Sequence, residues 1–108
     1  MRVMKSLLIK TKHNLILQHG EDDDMLIDMV AAAISYAEGR QHKEPGHYLR
    51  RGSRMLPTTE RAIVMLASHL YESRDGSTGG FFNDKVYAGR QVWDTVNNLL
   101  TLDKDVVF

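Results

Sequence analysis

Cysteine is absent from the 108 residues of this sequence. Without thiols the chain has no disulfide framework, no thiolate nucleophile and no zinc–cysteine site. The sequence also lacks any apolar run near the roughly 20 residues of a membrane-spanning helix, and its amino-terminal segment lacks the long apolar core of a signal peptide. We therefore expect a soluble cytosolic chain with no membrane partner, folded as a single domain over residues 1–108.

An excess of charge of either sign is also missing, because 14 basic residues balance 14 acidic ones. A neutral chain has no general attraction to nucleic acid or to an anionic membrane, so any such binding must come from a local patch. Zero net charge also does little to keep copies apart, and it is compatible with self-association.

Motifs that carry catalysis are absent too. The histidines show no H-E-x-x-H spacing, no serine lies in a nucleophile elbow, and the glycines at 76–80 are not followed by a P-loop lysine. His69 and Glu72 have the spacing of half a metal site in a helical bundle, but no second pair accompanies them. His69 fits better as a residue that packs beside Tyr71 or bonds a backbone group. The sequence predicts no enzymatic activity, no metal and no cofactor.

The strongest pattern is a helix over residues 56–74. Pro57 and a following Thr58 or Thr59 are typical of a helix start, and Glu60 places negative charge near the positive end of the helix dipole. Apolar residues then recur at helical spacing on one face: Ala62, Ile63, Leu66, Ala67, Leu70 and Tyr71. Val64 and Met65 lie partly off that face, which predicts a helix at the centre of a bundle.

Three further helices are expected around it. The first covers residues 5–19, with Leu8, Leu15 and Ile16 on one face and a stop at His19-Gly20. The second follows the acidic run at 22–24 and ends at Gly39, with an inward stripe of Met25, Leu26, Met29, Val30, Ala33, Ile34 and Ala37. The last covers residues 91–102, with an inward face of Val92, Trp93, Val96, Leu99 and Leu100.

Each of two segments between these helices has two possible interpretations. The acidic run at 22–24 lacks the alternating ligands and the central glycine of an EF-hand, so we expect it to cap the second helix. Residues 81–87 fit either an extended segment or the start of the last helix. The predicted fold class is all-α: a small four-helix bundle with a long basic loop between the second and third helices and an extended carboxy-terminal tail.

The basic loop, residues 40–55, has no helical or strand period and contains turn signals at Pro45-Gly46 and Gly52-Ser53. Only Glu44 offsets its basic residues, which are Arg40, Lys43, Arg50, Arg51 and Arg54. Arginine suits both phosphate and carboxylate, so the loop is either a surface for a phosphate or an acidic partner, or an ordinary solvated loop. The tail ends in three apolar residues, Val106, Val107 and Phe108, which either dock on the chain's own core or on a partner.

Three segments together resemble the head–tail connector (adaptor) proteins of long-tailed double-stranded DNA bacteriophages. The first is the acidic run at 22–24 with the Ala-rich helix that follows it as far as Gly39-Arg40. The second is Leu56-Pro57 leading to the H-x-Y-E-x-R sequence at 69–74, which is the most specific piece. The third is the last amphipathic helix with its Leu99-Leu100 pair.

The resemblance implies a structural virion protein at the head–tail junction, assembled in the host cytoplasm. Copies would form a ring of about a dozen beneath the portal, with different faces of each copy in contact. The ring would extend the channel for the genomic double-stranded DNA, without sequence specificity, and would bind a downstream head-completion or tail protein. The residues matching the family's portal-binding segment are Val106, Val107 and Phe108.

The basic loop departs from the family, because it is longer and more basic than expected. Lys43, Arg50, Arg51 and Arg54 are candidates either to line the DNA channel or to contact an acidic face of the neighbouring subunit. The alternative from another functional class is a small helical nucleic-acid-binding regulator, in which the same loop contacts phosphates.

Overall fold

A computed structural model describes residues 2–73 and 82–103, with side chains for residues 3–73 and 89–103. Within these ranges the chain forms four α-helices, α1 (Arg2–Leu15), α2 (Asp23–Arg40), α3 (Pro57–Ser73) and α4 (Phe82–Thr101), a short 3₁₀ helix at His47–Leu49, and no strand. The predicted all-α class and the small four-helix bundle are confirmed. No helix in the described part of the chain is long and apolar enough to cross a membrane.

Helix α3 occupies the centre of the bundle and packs against α1, α2 and α4. It begins at Pro57, whose missing N–H costs nothing at a first helical position. Its buried residues are Thr59, Ala62, Ile63, Val64, Leu66, Ala67, Ser68 and Tyr71. The predicted inward stripe is confirmed, with Leu70 half-buried, and the burial of Val64 shows that α3 is enclosed on more than one side.

Helices α2 and α4 cover α3 and also contact each other. The buried positions of α2 are Leu26, Val30, Ala33, Ile34, Ala37 and Glu38, so most of the predicted stripe is confirmed. Met25 was predicted to face inward and is 39% exposed. Val96 and Leu100 of α4 are fully buried. The backbone of residues 82–90 is helical, which resolves the choice left open for this part of the chain.

The predicted end of the first helix is wrong, and of its predicted inward face Leu8 and Leu15 are half-buried whereas Ile16 is exposed. Helix α1 ends at Leu15, because Ile16 adopts a left-handed conformation with φ of 59°. The Leu17 N–H then closes the helix by donating to the Lys12 carbonyl oxygen at 2.9 Å. Ile16 is 82% exposed, and the buried face of α1 is formed by Leu7 and Thr11, one turn apart.

The capping expectations are only partly correct. Asp22 does occupy the N-cap position of α2, but its side chain makes no capping hydrogen bond and instead accepts one from the Tyr71 hydroxyl. Asp23 and Asp24 lie in the first turn, where negative charge favours the helix dipole. The Thr59 hydroxyl accepts a hydrogen bond from Gln41 inside the protein, and the buried Thr58 hydroxyl has no partner among the described residues.

Candidate interaction surface

The connection between α2 and α3, which contains the predicted basic loop, is a loop with ordered turns. Gly46 and Gly52 supply the left-handed turns, with φ of 81° and 84°. Between them lies the 3₁₀ helix, and the Ser53 hydroxyl donates to the His47 carbonyl oxygen at 2.5 Å. The connection therefore has its own internal hydrogen bonds.

Glu38, in the last turn of α2, anchors this connection. Its side chain is buried, and its two carboxylate oxygens accept hydrogen bonds from the backbone N–H groups of Gly46 and Tyr48, each at 3.0 Å. Two inward-pointing backbone donors would otherwise be left without partners, which proteins almost always avoid. No sequence pattern indicates this role, because Glu38 lies beside Ala37 and Gly39 and its partners are backbone groups.

Tyr48 joins the connection to the core. Its ring is 1% exposed, and its hydroxyl donates to the Gln41 side-chain oxygen. The Gln41 amide nitrogen in turn donates to the Thr59 hydroxyl at 2.8 Å and to the Leu100 carbonyl oxygen at 3.0 Å. One fully buried network thus links the end of α2, the start of α3 and the end of α4, and such connected networks stiffen the elements they join.

Lys43 is separated from the arginines with which it was grouped. Only 8% of its side chain is exposed, and its Nζ lies 3.8 Å from Oδ2 of Asp103, at the end of the described chain. The same carboxylate oxygen lies 3.4 Å from the Tyr48 hydroxyl. Lys43 therefore points towards the bundle and the chain that leaves α4, not towards an external partner.

The arginines lie on the outer side of the connection. Arg50 donates to Glu44 at 2.6 Å, and this hydrogen bond and charge hold the pKa of Glu44 below its ordinary value of 4.5. Arg51 and Arg54 are exposed and form no ion pair with a described residue. The outward positive charge available to a partner therefore lies at Arg51 and Arg54 and at Arg40, which is also exposed, with Arg50 already partly neutralised.

A second exposed surface is the outer face of α2. It combines two carboxylates with small side chains: Asp24, Asp28, Ala31, Ala32, Ser35 and Gly39. Ile27 lies beside them and is 37% exposed. The carboxylates lie in the first two turns of α2 and the exposed Arg40 lies in its last turn, about 18–24 Å away along the axis at 1.5 Å per residue. Opposite charges therefore lie at opposite ends of one element.

His69 packs against α4, whereas the sequence suggested Tyr71 or a backbone group. Its ring meets the Trp93 ring edge to face, with centroids 6.3 Å apart, and its Nδ1 lies 3.5 Å from the Ser73 hydroxyl. Among the described residues, no group of three or more His, Asp or Glu side chains is placed to hold a metal ion.

The predicted docking residues Val106, Val107 and Phe108 lie outside the described residues, as does Arg74 of the H-x-Y-E-x-R sequence. Comparison with protein-family models, with curated proteins and with solved structures finds no match. The likeness to phage connectors therefore rests on the three sequence segments, which correspond to α2, α3 and α4.

Proposed function

We propose that this chain is a structural virion protein, a head–tail connector that forms a ring beneath the portal of a long-tailed phage. One observation carries the proposal beyond the sequence pattern. The two most specific segments of the resemblance meet, because the Tyr71 hydroxyl of the H-x-Y-E-x-R sequence donates to Asp22 of the acidic run. They therefore belong to one structural unit rather than being scattered matches.

The exposed surfaces suit assembly into a ring. Small residues at Ala31 and Ala32 allow a neighbouring helix to approach closely, and they have no such neighbour within the described chain. In a ring, one face of each copy meets a different face of the next. The negative end of α2 in one copy can then attract the positive end of α2 in its neighbour. The chain's part in this function is binding and positioning, without catalysis.

The ordered connection gives the arginines a defined place in such a ring. A single copy offers little positive charge, since Lys43 and Arg50 have acidic neighbours. A ring of about a dozen copies would repeat Arg51 and Arg54 around one circle and build a strong field there. That field would act on passing DNA if the loops face the channel, or on the next subunit if they face sideways.

Light scattering with negative-stain imaging of the purified chain, alone and mixed with its cognate portal protein, tests the proposal. We expect closed rings of about a dozen copies, either alone or on the portal. A stable dimer that does not bind portal and that shifts duplex DNA would overturn it.

The triple variant R50S/R51S/R54S, compared with K5S as a control on an exposed lysine of α1, separates the two roles of the arginines. Intact rings with weaker retention of DNA would place the arginines at the channel. Loss of rings would place them at the subunit contact, because neither Arg51 nor Arg54 contributes to the core.

A nucleic-acid-binding regulator remains the second candidate, because Arg51 and Arg54 are exposed on an ordered loop. A regulator that binds free duplex through several phosphate contacts loses affinity steeply with salt, with a slope of about −0.9 per contact. Three available arginines, Arg40, Arg51 and Arg54, predict a slope no steeper than about −3 for one chain. A measured slope of about −5 or steeper, without rings, would favour the regulator.

A further inference from the structure

Exposed charges of opposite sign lie at the two ends of the bundle. Gln41, directly after α2, donates to Thr59 near the start of α3. Tyr71, near the end of α3, donates to Asp22, directly before α2. The two helices are therefore antiparallel, and the start and the end of α2 mark opposite ends of the bundle. Exposed acidic side chains gather at the first end and exposed basic ones at the second.

The acidic end lies at the start of α2 and on its outer face. Glu21, Asp24 and Asp28 are exposed and form no ion pair with a described residue, and exposed Met25 and Ile27 lie among them. We call these five residues the acidic patch. Residues 24 and 28 are one helical turn apart on one face, so their carboxylates act on the same approaching group.

The basic end is formed by the last turn of α2 and by the connection that follows it. Arg40, Arg51 and Arg54 are exposed and form no ion pair with a described residue, and Leu49 and Leu56 are exposed beside them in the sequence. We call these five residues the basic patch. Two backbone N–H groups of the connection donate to the buried carboxylate in the last turn of α2, so the patch is ordered before it meets a partner.

The two patches cannot pair within one chain. Asp28 and Arg40 lie about 18 Å apart along α2 at 1.5 Å per residue, whereas an ion pair needs a separation of about 4 Å or less. Arg51 and Arg54 follow the part of the connection that is held at the end of α2, and neither pairs with the acidic patch. Exposed charges that do not meet within a copy are available to a second copy.

The patches also belong to different parts of the surface. Ser53 and Met55, on either side of Arg54, line a groove together with Val3 and Leu7 of α1. This part of the basic patch therefore lies beside α1, whereas the acidic patch lies on the outer face of α2. A two-fold dimer would have to use both patches in one contact, but patches on separate surfaces suit two different neighbours.

We propose that the acidic patch of one copy binds the basic patch of the next, and that this contact drives head-to-tail self-association. Asp24 and Asp28 meet the arginines of the neighbouring copy, and the exposed apolar residues of the two patches cover each other. The contact rests on the proposed assembly into rings, and it assigns the arginines to the subunit boundary rather than to the DNA channel. Each copy keeps one unused patch of each sign, so the contact repeats until it closes.

Charge reversal tests this contact, with assembly followed by sedimentation velocity over a concentration series of the purified chain. We expect the unaltered chain to form species larger than a dimer. The variants D24R/D28R and R51E/R54E should each weaken self-association by at least about tenfold, because each brings like charges together. Added salt should weaken the association of the unaltered chain, because it screens exposed charges.

Two rescue experiments distinguish a lost contact from a damaged fold. The variant D24R/D28R/R51E/R54E exchanges the signs of both patches and should self-associate again. An equal mixture of the two double variants should also assemble, because one chain then carries two basic patches and the other two acidic ones.

Control variants reverse charge away from both patches. D94R on α4 and K5E on α1 change exposed residues in the same direction as the two double variants, and they should leave assembly unchanged.

Three results would overturn this contact: unchanged assembly in both double variants, no recovery in either rescue experiment, or an unaltered chain that stays a monomer or stops at a dimer. In each case, rings formed on the portal protein would still support the proposed function, with other surfaces between the subunits. A chain that neither self-associates nor forms rings on the portal would overturn both proposals.

Discussion

The two connections that flank α2 differ in length and in burial, and the longer one is the more deeply buried. Residues 16–22, before α2, form the shorter connection and lie mainly at the surface, with Ile16 82% exposed. Residues 41–56, after α2, form the longer connection, yet they contribute Gln41 and Tyr48 to the fully buried part of the protein. Length alone would have predicted the longer connection to be the less buried of the two.

The difference lies in where each connection's polar groups find partners. The shorter one is tied at its end, where Asp22 accepts from Tyr71 and Asp23 lies 2.8 Å from Lys12 Nζ. The longer one is held from inside, because Glu38 satisfies two of its backbone N–H groups within the protein. Buried acceptors of this kind fix a segment more firmly than its sequence composition suggests.

The largest effect should come from removing the buried tyrosine ring of the longer connection. The variant Y48A removes a buried ring and its link to Gln41, and we expect a loss of about 3–5 kcal/mol in the free energy of unfolding, measured by urea denaturation. The matched variant I16A on the shorter connection should change stability by no more than about 0.5 kcal/mol. Similar losses for the two variants would remove the contrast between the connections.

Loss of the Glu38 anchor should have the next largest effect. The variant E38Q keeps one acceptor oxygen but turns an amide group towards a backbone N–H, which should cost about 1–3 kcal/mol. Hydrogen exchange at the Gly46 and Tyr48 amides should accelerate more than exchange within α3. The control E44Q alters a carboxylate at the surface of the same connection and should leave those amides protected.

How far the sequence predicts this fold depends on the type of contact. Helix α3 was predicted within a residue at each end, because proline at its start and a long apolar period are local features. The end of α1 was missed because a β-branched residue, Ile16, takes the left-handed conformation, which local preferences disfavour. Glu38 was missed because its partners are backbone amides, which carry no mark in the sequence.

The candidate surface was predicted only by residue type. Counting basic residues placed Lys43 with the arginines, but its neighbour Asp103 is distant in sequence and meets it only after α4 packs. Arg50 was also counted as available, although Glu44 faces it across one turn of the connection. All four arginines are exposed as the sequence assumed, but only Arg40, Arg51 and Arg54 have no ion pair with a described residue.

A pair of tyrosine substitutions compares the two connections with the same chemical change. The variant Y48F leaves the buried Gln41 oxygen without its donor and should cost about 1–3 kcal/mol. The variant Y71F removes the donor to Asp22, whose half-buried carboxylate can turn to water, and should cost about 1 kcal/mol or less. Thermal unfolding of both variants in one buffer gives the ranking, and a larger loss for Y71F would show that the shorter connection is the firmer one.

The smallest effect concerns the outer side of the longer connection, where Arg50 lowers the pKa of Glu44. Because the folded-state pKa lies below the ordinary value of 4.5, the stabilisation is fully present above that pH and is lost as the pH falls through the folded pKa. NMR titration should show the Glu44 pKa rising towards 4.5 in R50S, and the melting temperatures of R50S and the unaltered chain should converge in acid. An exposed ion pair such as Arg50–Glu44 contributes little to stability at neutral pH, so R50S should leave the Glu38 anchor and the Gly46 amide protection unchanged. A loss of that protection in R50S would mean that the outer ion pair, and not the buried carboxylate, holds the connection in place.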